Sequence, residues 1–287
     1  LYFNTFNRLI AIQSNKELGK DIVHIIPLGH EVDRATKIFA NMKANRAYIL
    51  ATMDTFGKHS EKLVEEQKGF TDKVVTKLND YGIQTIVKNA DMFEPSEVIL
   101  NISSIIIKEQ ARDSIIFINI SSAGRLTAAA ATLAAMAHKV DAYYLEASAY
   151  SDNQNDKKEH GLSICNGTNA KWIKGLPVEL PPPQEMAVLK ALSKKSPMKP
   201  NEIILYLARN NFPGYSEHLQ TLEKGIRRRD DAYDEVLIPC MMKLNKGILE
   251  KLEKKKYITR EKLGNNNMVV LKTAGRFVAY FAGDKDI

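Results

Sequence analysis

The chain has 287 residues, 44% of them apolar and 26% charged, and a formal net charge of +7. This is the make-up of a soluble globular protein of one or two domains. Its two cysteines, Cys165 and Cys240, lie far apart in no ligand-spaced motif, which argues against a disulfide framework or a cysteine zinc site and fits a reducing cytoplasm.

No apolar run approaches the roughly 18–20 residues of a membrane span. The longest, residues 126–137, is mostly alanine. Residues 1–19 show no basic stretch followed by an apolar core, so no secretory signal is expected and the protein is placed in the cytoplasm. Charge is unevenly distributed: residues 181–287 hold 20 Lys and Arg against 13 Asp and Glu, while residues 1–180 hold 21 of each. A basic end on a neutral body points to one module that meets phosphates, or to a solvated basic surface.

Residues 21–27 form a short apolar run, expected as a strand. Residues 28–31 are a loop, and Val32, Ala35, Ile38 and Phe39 then share one helical face. Strands are expected at 47–52, 83–87, 114–120 and 142–146, with helices at 61–78, 96–111 and 126–138 between them. The fourth strand is apolar on both faces, as a central parallel strand must be. Strand and helix alternate with short connections, which predicts an α/β fold with a parallel sheet and right-handed crossovers. Residues 151–159 contain no apolar side chain, and Pro181-Pro182-Pro183 is a stiff spacer. Residues 151–182 are therefore expected to link a first domain, 20–150, to a second, 183–287.

Ligands of such sheets bind beyond the carboxyl ends of the strands. The loops that land there are 27–31, 53–58, 89–93 and 121–125. In the last, Asn119-Ile-Ser121-Ser122-Ala123-Gly124-Arg125, small residues admit a ligand to the backbone. Hydroxyls, the N–H groups of a helix start and the Arg125 fork suit phosphate oxygens. A plain strand-to-helix turn with an exposed arginine has the same composition. No Walker lysine motif and no Gly-x-Gly-x-x-Gly are present, so no cofactor is expected.

Two segments carry a resemblance. Pro27-Leu28-Gly29-His30-Glu31-Val32-Asp33-Arg34 after the first strand, with the Asn119, Ser121, Arg125 pattern after the fourth, resembles the CRISPR-associated Rossmann fold (CARF) family. More narrowly, the chain is similar to archaeal CARF regulators with a C-terminal winged helix-turn-helix. The glycine-rich stretch of the family is reduced here to Ala123-Gly124. The resemblance implies a Rossmann-like sensor that forms a homodimer and binds a cyclic oligoadenylate, cyclic tetra-adenylate first, across its two-fold axis. The contacts it implies are Pro27, Leu28, Gly29, His30, Asp33, Arg34, Asn119, Ser121, Ser122, Ala123, Gly124 and Arg125. Some relatives cut their own ligand, which leaves open a ring nuclease with His30 as general base. The alanine-rich helix 127–138 reads either as close packing within the chain or as a dimer contact.

In the second part, helices are expected at 184–192 and from Pro200, and a longer one over 235–255. A hairpin with its tip at 264–267 and a last helix from Thr273 follow. Helix, hairpin, then Thr273-Ala-Gly275 is the pattern of a winged helix-turn-helix, whose recognition helix precedes the wing and enters the major groove of double-stranded DNA. That helix is placed at 240–255. Lys243 and Lys246 are expected to face DNA and Asn245 a base edge. Lys254 to Lys256, Arg260 and Lys262 are expected near phosphates, and Met241, Leu244, Ile248, Leu249 and Leu252 in the core. The cluster Arg227 to Arg229 reads as a phosphate clamp or as an exposed helix end. A ligand-independent repressor is the third reading.

Overall fold

In the computed structural model, residues 19–166, 169–173, 178–227, 229–264 and 266–283 are described. They form two units, one running to Val178 and a second spanning Glu179–Ala282.

The first unit is built on β1 (Ile22–Pro27), α1 (Asp33–Thr36), β2 (Arg46–Ala51), α2 (Glu61–Asp80), β3 (Gln84–Asn89), α3 (Pro95–Gln110), β4 (Ile115–Asn119), α4 (Arg125–His138) and β5 (Asp141–Leu145). All six residues of β1 are buried, as befits a strand with a parallel neighbour on each side and helices on both faces. The sheet order is β3-β2-β1-β4-β5, with a sixth strand, β8 (Ala170–Ile173), at the β5 edge. The chain builds outward from β1 through β2 and β3, then returns to β1's other side at β4. The order therefore switches between β1 and β4, and the loops that follow these two strands flank the crevice of an open α/β sheet.

The helices follow from local chemistry. Ser60 Oγ accepts the Leu63 N–H at 3.3 Å and caps α2, which buries Val64, Val74 and Leu78. Pro95 starts α3, where its missing N–H costs nothing. In α4 the buried alanines Ala130, Ala131, Ala134 and Ala135 lie in a helix that packs against α3, so the small residues serve contact within the chain. The opposite face leaves Leu126 at 57% and Leu133 at 44% exposure.

Residues 151–182, expected as a linker, carry structure as far as Ile173. After β6 (Ala149–Tyr150) come α5 (Gln154–His160), β7 (Ser163–Ile164) and β8 (Ala170–Ile173). β8 pairs antiparallel with β5 and closes the sheet edge. Most of the polar run at 151–159 lies in α5, a short helix with no buried residue, capped by Asn153, whose Oδ1 accepts the Asp156 N–H at 2.9 Å. Such a sequence lacks the apolar periodicity that marks a helix.

His24 is a buried polar residue of β1. It is fully enclosed among Phe39, Phe117 and Tyr143 and shares a 3.0 Å hydrogen bond with the Tyr143 hydroxyl. Burial lowers its pKa from 6.5 to about 3. The unfolded chain therefore takes up a proton first as pH falls, so stability is complete above about pH 6.5 and declines toward pH 3. Between pH 8 and pH 5 this group alone is expected to remove about 2 kcal/mol. Urea unfolding at both pH values reads the loss, and His24→Phe should shrink it. An equal pH dependence in that variant would assign the effect elsewhere.

The second unit comprises α6 (Pro183–Lys194), α7 (Pro200–Arg209), α8 (Leu219–Glu223) and a helical run with α9 (Ile238–Leu244) and α10 (Glu250–Lys254). The hairpin β9 (Ile258–Leu263) and β10 (Asn266–Leu271) and then α11 (Thr273–Tyr280) complete it. Wide π turns occupy Tyr233–Leu237 and Asn245–Leu249. Met198 pairs with Val269 through two backbone hydrogen bonds of 3.0 and 2.8 Å, adding a third short partner to the hairpin. The core joins Leu189, Leu192, Ile203, Leu207, Leu244 and Leu252. The Thr-Ala-Gly start of α11 has a steric cause, since a Cβ on Gly275 would lie 2.1 Å from the Tyr257 carbonyl oxygen. Arg228 and Asn265, members of the arginine cluster and the hairpin tip, lie outside the described residues.

Candidate ligand site and nucleic-acid interface

The loops after β1 and β4 are joined directly. The Gly29 N–H donates to the Ser122 carbonyl at 2.7 Å, and Ser122 Oγ donates to the Pro27 carbonyl at 3.0 Å. A Cβ on Gly29 would approach the Ser122 oxygen to 3.2 Å, so this glycine allows the two loops to close on each other. Asn119 is fully buried. Its amide donates to the Arg34 carbonyl at 2.9 Å, and its Oδ1 accepts the Ser121 N–H at 2.9 Å and the Ser121 hydroxyl. Pro27, Leu28, Asn119, Ser121 and Ser122 are all buried. Their side chains are enclosed within the chain rather than presented to solvent.

What remains open is the start of α4. Gly124 is the N-cap and no side chain caps the helix. Gly124 and Arg125 are exposed and Ala123 is half-buried. The first N–H groups of α4 and the Arg125 guanidinium thus stand at the switch point, an arrangement suited to anionic oxygens. Gly124 has an ordinary φ of −60°, and a Cβ there would meet only Thr127 Oγ1, at 3.8 Å. Gly124→Ala is therefore expected to leave the melting temperature unchanged, and thermal unfolding checks this. A large drop would show a packing role that the geometry lacks.

The polar residues of the first loop face inward. Asp33 is fully buried and meets the Cys165 N–H at 3.1 Å, His160 Nδ1 at 3.1 Å and Lys77 Nζ at 3.8 Å. Glu31 accepts the Ser163 N–H at 3.1 Å and its hydroxyl at 2.7 Å, and burial raises its pKa. The Arg34 side chain is 12% exposed and lies 3.7 Å from Glu31. It donates to the Ser121 carbonyl at 3.4 Å and sits 5.3 Å over the Tyr144 ring. His30 stacks on Phe70 with centroids 4.8 Å apart, and burial lowers its pKa. Of the first-loop residues expected to touch ligand, Asp33 is thus a structural anchor and Arg34 is largely engaged within the chain. The sequence reading missed their partners, His160, Ser163 and Cys165, because they lie in the presumed linker. Gly161 was the available signal, since it sits where a backbone must pass close to another.

In the second unit Leu244, Ile248, Leu249 and Leu252 are buried and Met241 is packed against the core, as expected. Lys243 is turned back: its Nζ donates to the Pro213 carbonyl at 2.9 Å and lies 5.3 Å from the Tyr215 ring centroid. Arg260 grips Glu253 at 2.9 and 2.6 Å, and Lys255 pairs with Glu185 at 3.0 Å. Lys246, Lys254, Lys256 and Lys262 are exposed and Asn245 is half-buried. Among the described residues these four lysines make no ion pair. The outer face of the helical run before Lys246 carries Glu235, Ile238 and Met242, with Met242 54% exposed. Its first turns are therefore acidic and apolar rather than basic.

This is an α/β protein with a mostly parallel, Rossmann-like sheet followed by a winged helix domain. The N-terminal family model HFX_2341_N (described as "-like, N-terminal") matches residues 22–150, and the DUF6293 C-terminal winged helix domain matches residues 184–283. No curated protein matches the chain. Among solved structures the chain is similar to protein VC1899 from Vibrio cholerae, at 13% identity and a TM-score of 0.37, covering 90% of this chain and 64% of that one. It is also similar to Can2 from Sulfobacillus thermosulfidooxidans, solved in complex with cyclic tetra-adenylate, at 12% identity and a TM-score of 0.32, covering 90% and 62%. The chain thus spans a little under two thirds of the length of either. No described helix is long and apolar enough to cross a membrane.

Proposed function

We propose that the protein is a homodimeric sensor of the CARF type. In this reading it binds a cyclic oligoadenylate, cyclic tetra-adenylate first, at the loops after β1 and β4, and its winged helix domain binds duplex DNA in response. One observation carries the reading. The two loops at the switch point are hydrogen-bonded into one crevice, and the uncapped start of α4 with exposed Arg125 opens there. Two such crevices side by side would present paired arginines and paired helix N-termini to a cyclic polyanion. Leu126 and Leu133, exposed on α4, supply an apolar stripe for that pairing. The ring-nuclease alternative loses support at His30, whose ring is stacked on Phe70.

On the DNA side the reading assigns phosphate contacts to Lys246, Lys254, Lys256 and Lys262, and base contact to Asn245. Lys243 and Arg260 act inside the domain, positioning the residues 212–215 loop and the start of the wing.

Calorimetric titration with cyclic tetra- and hexa-adenylate tests the ligand. Arg125→Ala is expected to weaken binding by about 1.5–3 kcal/mol, the range for a charge-assisted hydrogen bond. Unchanged affinity would remove this loop from the site. Leu133→Glu should shift the full chain toward monomer in sedimentation. A dimer of undiminished strength would place the interface on another face.

A further inference from the structure

A second cluster on the same rim of the sheet has no part in the crevice between β1 and β4. It lies on the loops after β2 and β3. His59 Nε2 is 2.9 Å from Asp91 Oδ1, and Asp91 is 4% exposed. The same Oδ1 accepts the Phe93 N–H at 3.1 Å, and Lys58 Nζ lies 3.7 Å from Oδ2. One buried carboxylate thus fixes an imidazole and a loop backbone together, with an exposed lysine nearby.

Around that anchor stand two aromatic rings that the core does not take. Phe93 stacks at a tilt on His59, centroids 4.8 Å apart, yet is 55% exposed. Phe56 meets His59 edge-on at 6.5 Å and is 39% exposed. Phe56 also holds a φ of +48°, a left-handed conformation that bulky side chains rarely adopt and that needs support from its surroundings. Both rings belong to loops at the carboxyl ends of parallel strands, where this architecture binds ligands. The cluster is tied to the start of α4: Thr127 Oγ1 donates to the Met92 carbonyl at 2.6 Å, and the Met92 N–H donates to Thr52 Oγ1 at 3.1 Å. Phe93 thus follows directly on a residue bonded to the first turn of the helix that carries Arg125.

We propose that Phe93 and Phe56, backed by the His59–Asp91 pair, form a stacking platform for a nucleobase, with Lys58, 63% exposed at its side chain, beside it for a phosphate. An exposed aromatic face, a neighbouring cation and a rigid backing are what base stacking requires, and stacking tolerates any base. The occupant is one adenine of the ligand whose phosphates lie at Arg125, so the assignment to that ligand rests on the function proposed above. Asp91 and His59 are positioning residues: they hold the rings and do not touch the ligand.

The test uses the full chain and cyclic tetra-adenylate. Truncating one stacking ring is worth about 1–3 kcal/mol, roughly a 5- to 150-fold loss. Phe93→Ala should lose affinity within that range, while Phe93→Trp should retain it. The emission of the Phe93→Trp protein should change on ligand addition beyond any change from Trp172 in the parent. Adenosine 5′-monophosphate should also change it, and ribose 5-phosphate, which lacks the base, should not. Parental affinity in Phe93→Ala together with an unmoved emission would overturn the platform. If the parent does not bind cyclic tetra-adenylate, the proposed function fails, and adenosine 5′-monophosphate against ribose 5-phosphate still decides the platform.

Discussion

Gly161→Ala is expected to destabilise the first unit by on the order of 3 kcal/mol, through backbone strain and overpacking together. Gly161 has φ 86° and ψ −153°, a region open essentially to glycine alone. A Cβ there would lie 2.7 Å from Glu31 Cα, the His30 carbonyl oxygen and the Val32 nitrogen. None of these is the far end of a flexible side chain, so the contact cannot be relieved by a rotamer change. The substitution should pry the 160–165 segment from the first loop, breaking the Val32 N–H to His160 carbonyl bond of 3.0 Å and the Leu162 N–H to His30 carbonyl bond of 2.9 Å. Urea unfolding measures the loss, and amide exchange at Val32 and Leu162 should quicken. Parental stability and slow exchange in the variant would show that this segment does not hold the loop.

Duplex binding by the full chain is expected to depend steeply on salt. In the proposed dimer the four exposed lysines Lys246, Lys254, Lys256 and Lys262 would make about eight phosphate contacts. That predicts a loss of about 10⁴-fold in affinity between 50 and 200 mM salt. Lys246→Ala should flatten the slope by one to two units on every sequence. Lys243→Ala should leave the slope alone and lower stability instead, because its ammonium holds the Pro213 carbonyl and the Tyr215 face. Fluorescence anisotropy across a salt series reads both. A flat salt response, or a Lys243→Ala slope change as large as that of Lys246→Ala, would contradict this division of labour.

The parallel sheet was legible because its strands are short apolar runs spaced by helices. Burial on both faces of β1 and β4 leaves that mark in any sequence. The winged helix was legible from order alone: helix, hairpin, then a Thr-Ala-Gly step whose glycine has a close-packing cause. The stretch 151–173 was not legible, since α5 is polar all round and β7 is two residues long. Such pieces are stabilised by tertiary bonds to Glu31 and Asp33, which no local pattern records. At the candidate site the positions of the loops after β1 and β4 were legible, but the partners of Asp33 and Arg34 were not: both are polar and next to a glycine loop, and both bond within the chain. Lys243 is similar: a lysine on the expected recognition helix reads as a DNA contact, and no local pattern records its carbonyl partner 30 positions earlier. His59 and Phe93 carried no motif at all; they meet only because β2 and β3 are neighbours.

The central claim is that one chain couples a cyclic oligoadenylate to DNA. Measuring duplex affinity of the full chain at fixed salt, with and without saturating cyclic tetra-adenylate, tests it most directly. Coupling predicts a change of roughly 5- to 150-fold, and saturating duplex must change the nucleotide's affinity by the same factor. Both ligands binding at full occupancy, each with no effect on the other, would contradict it.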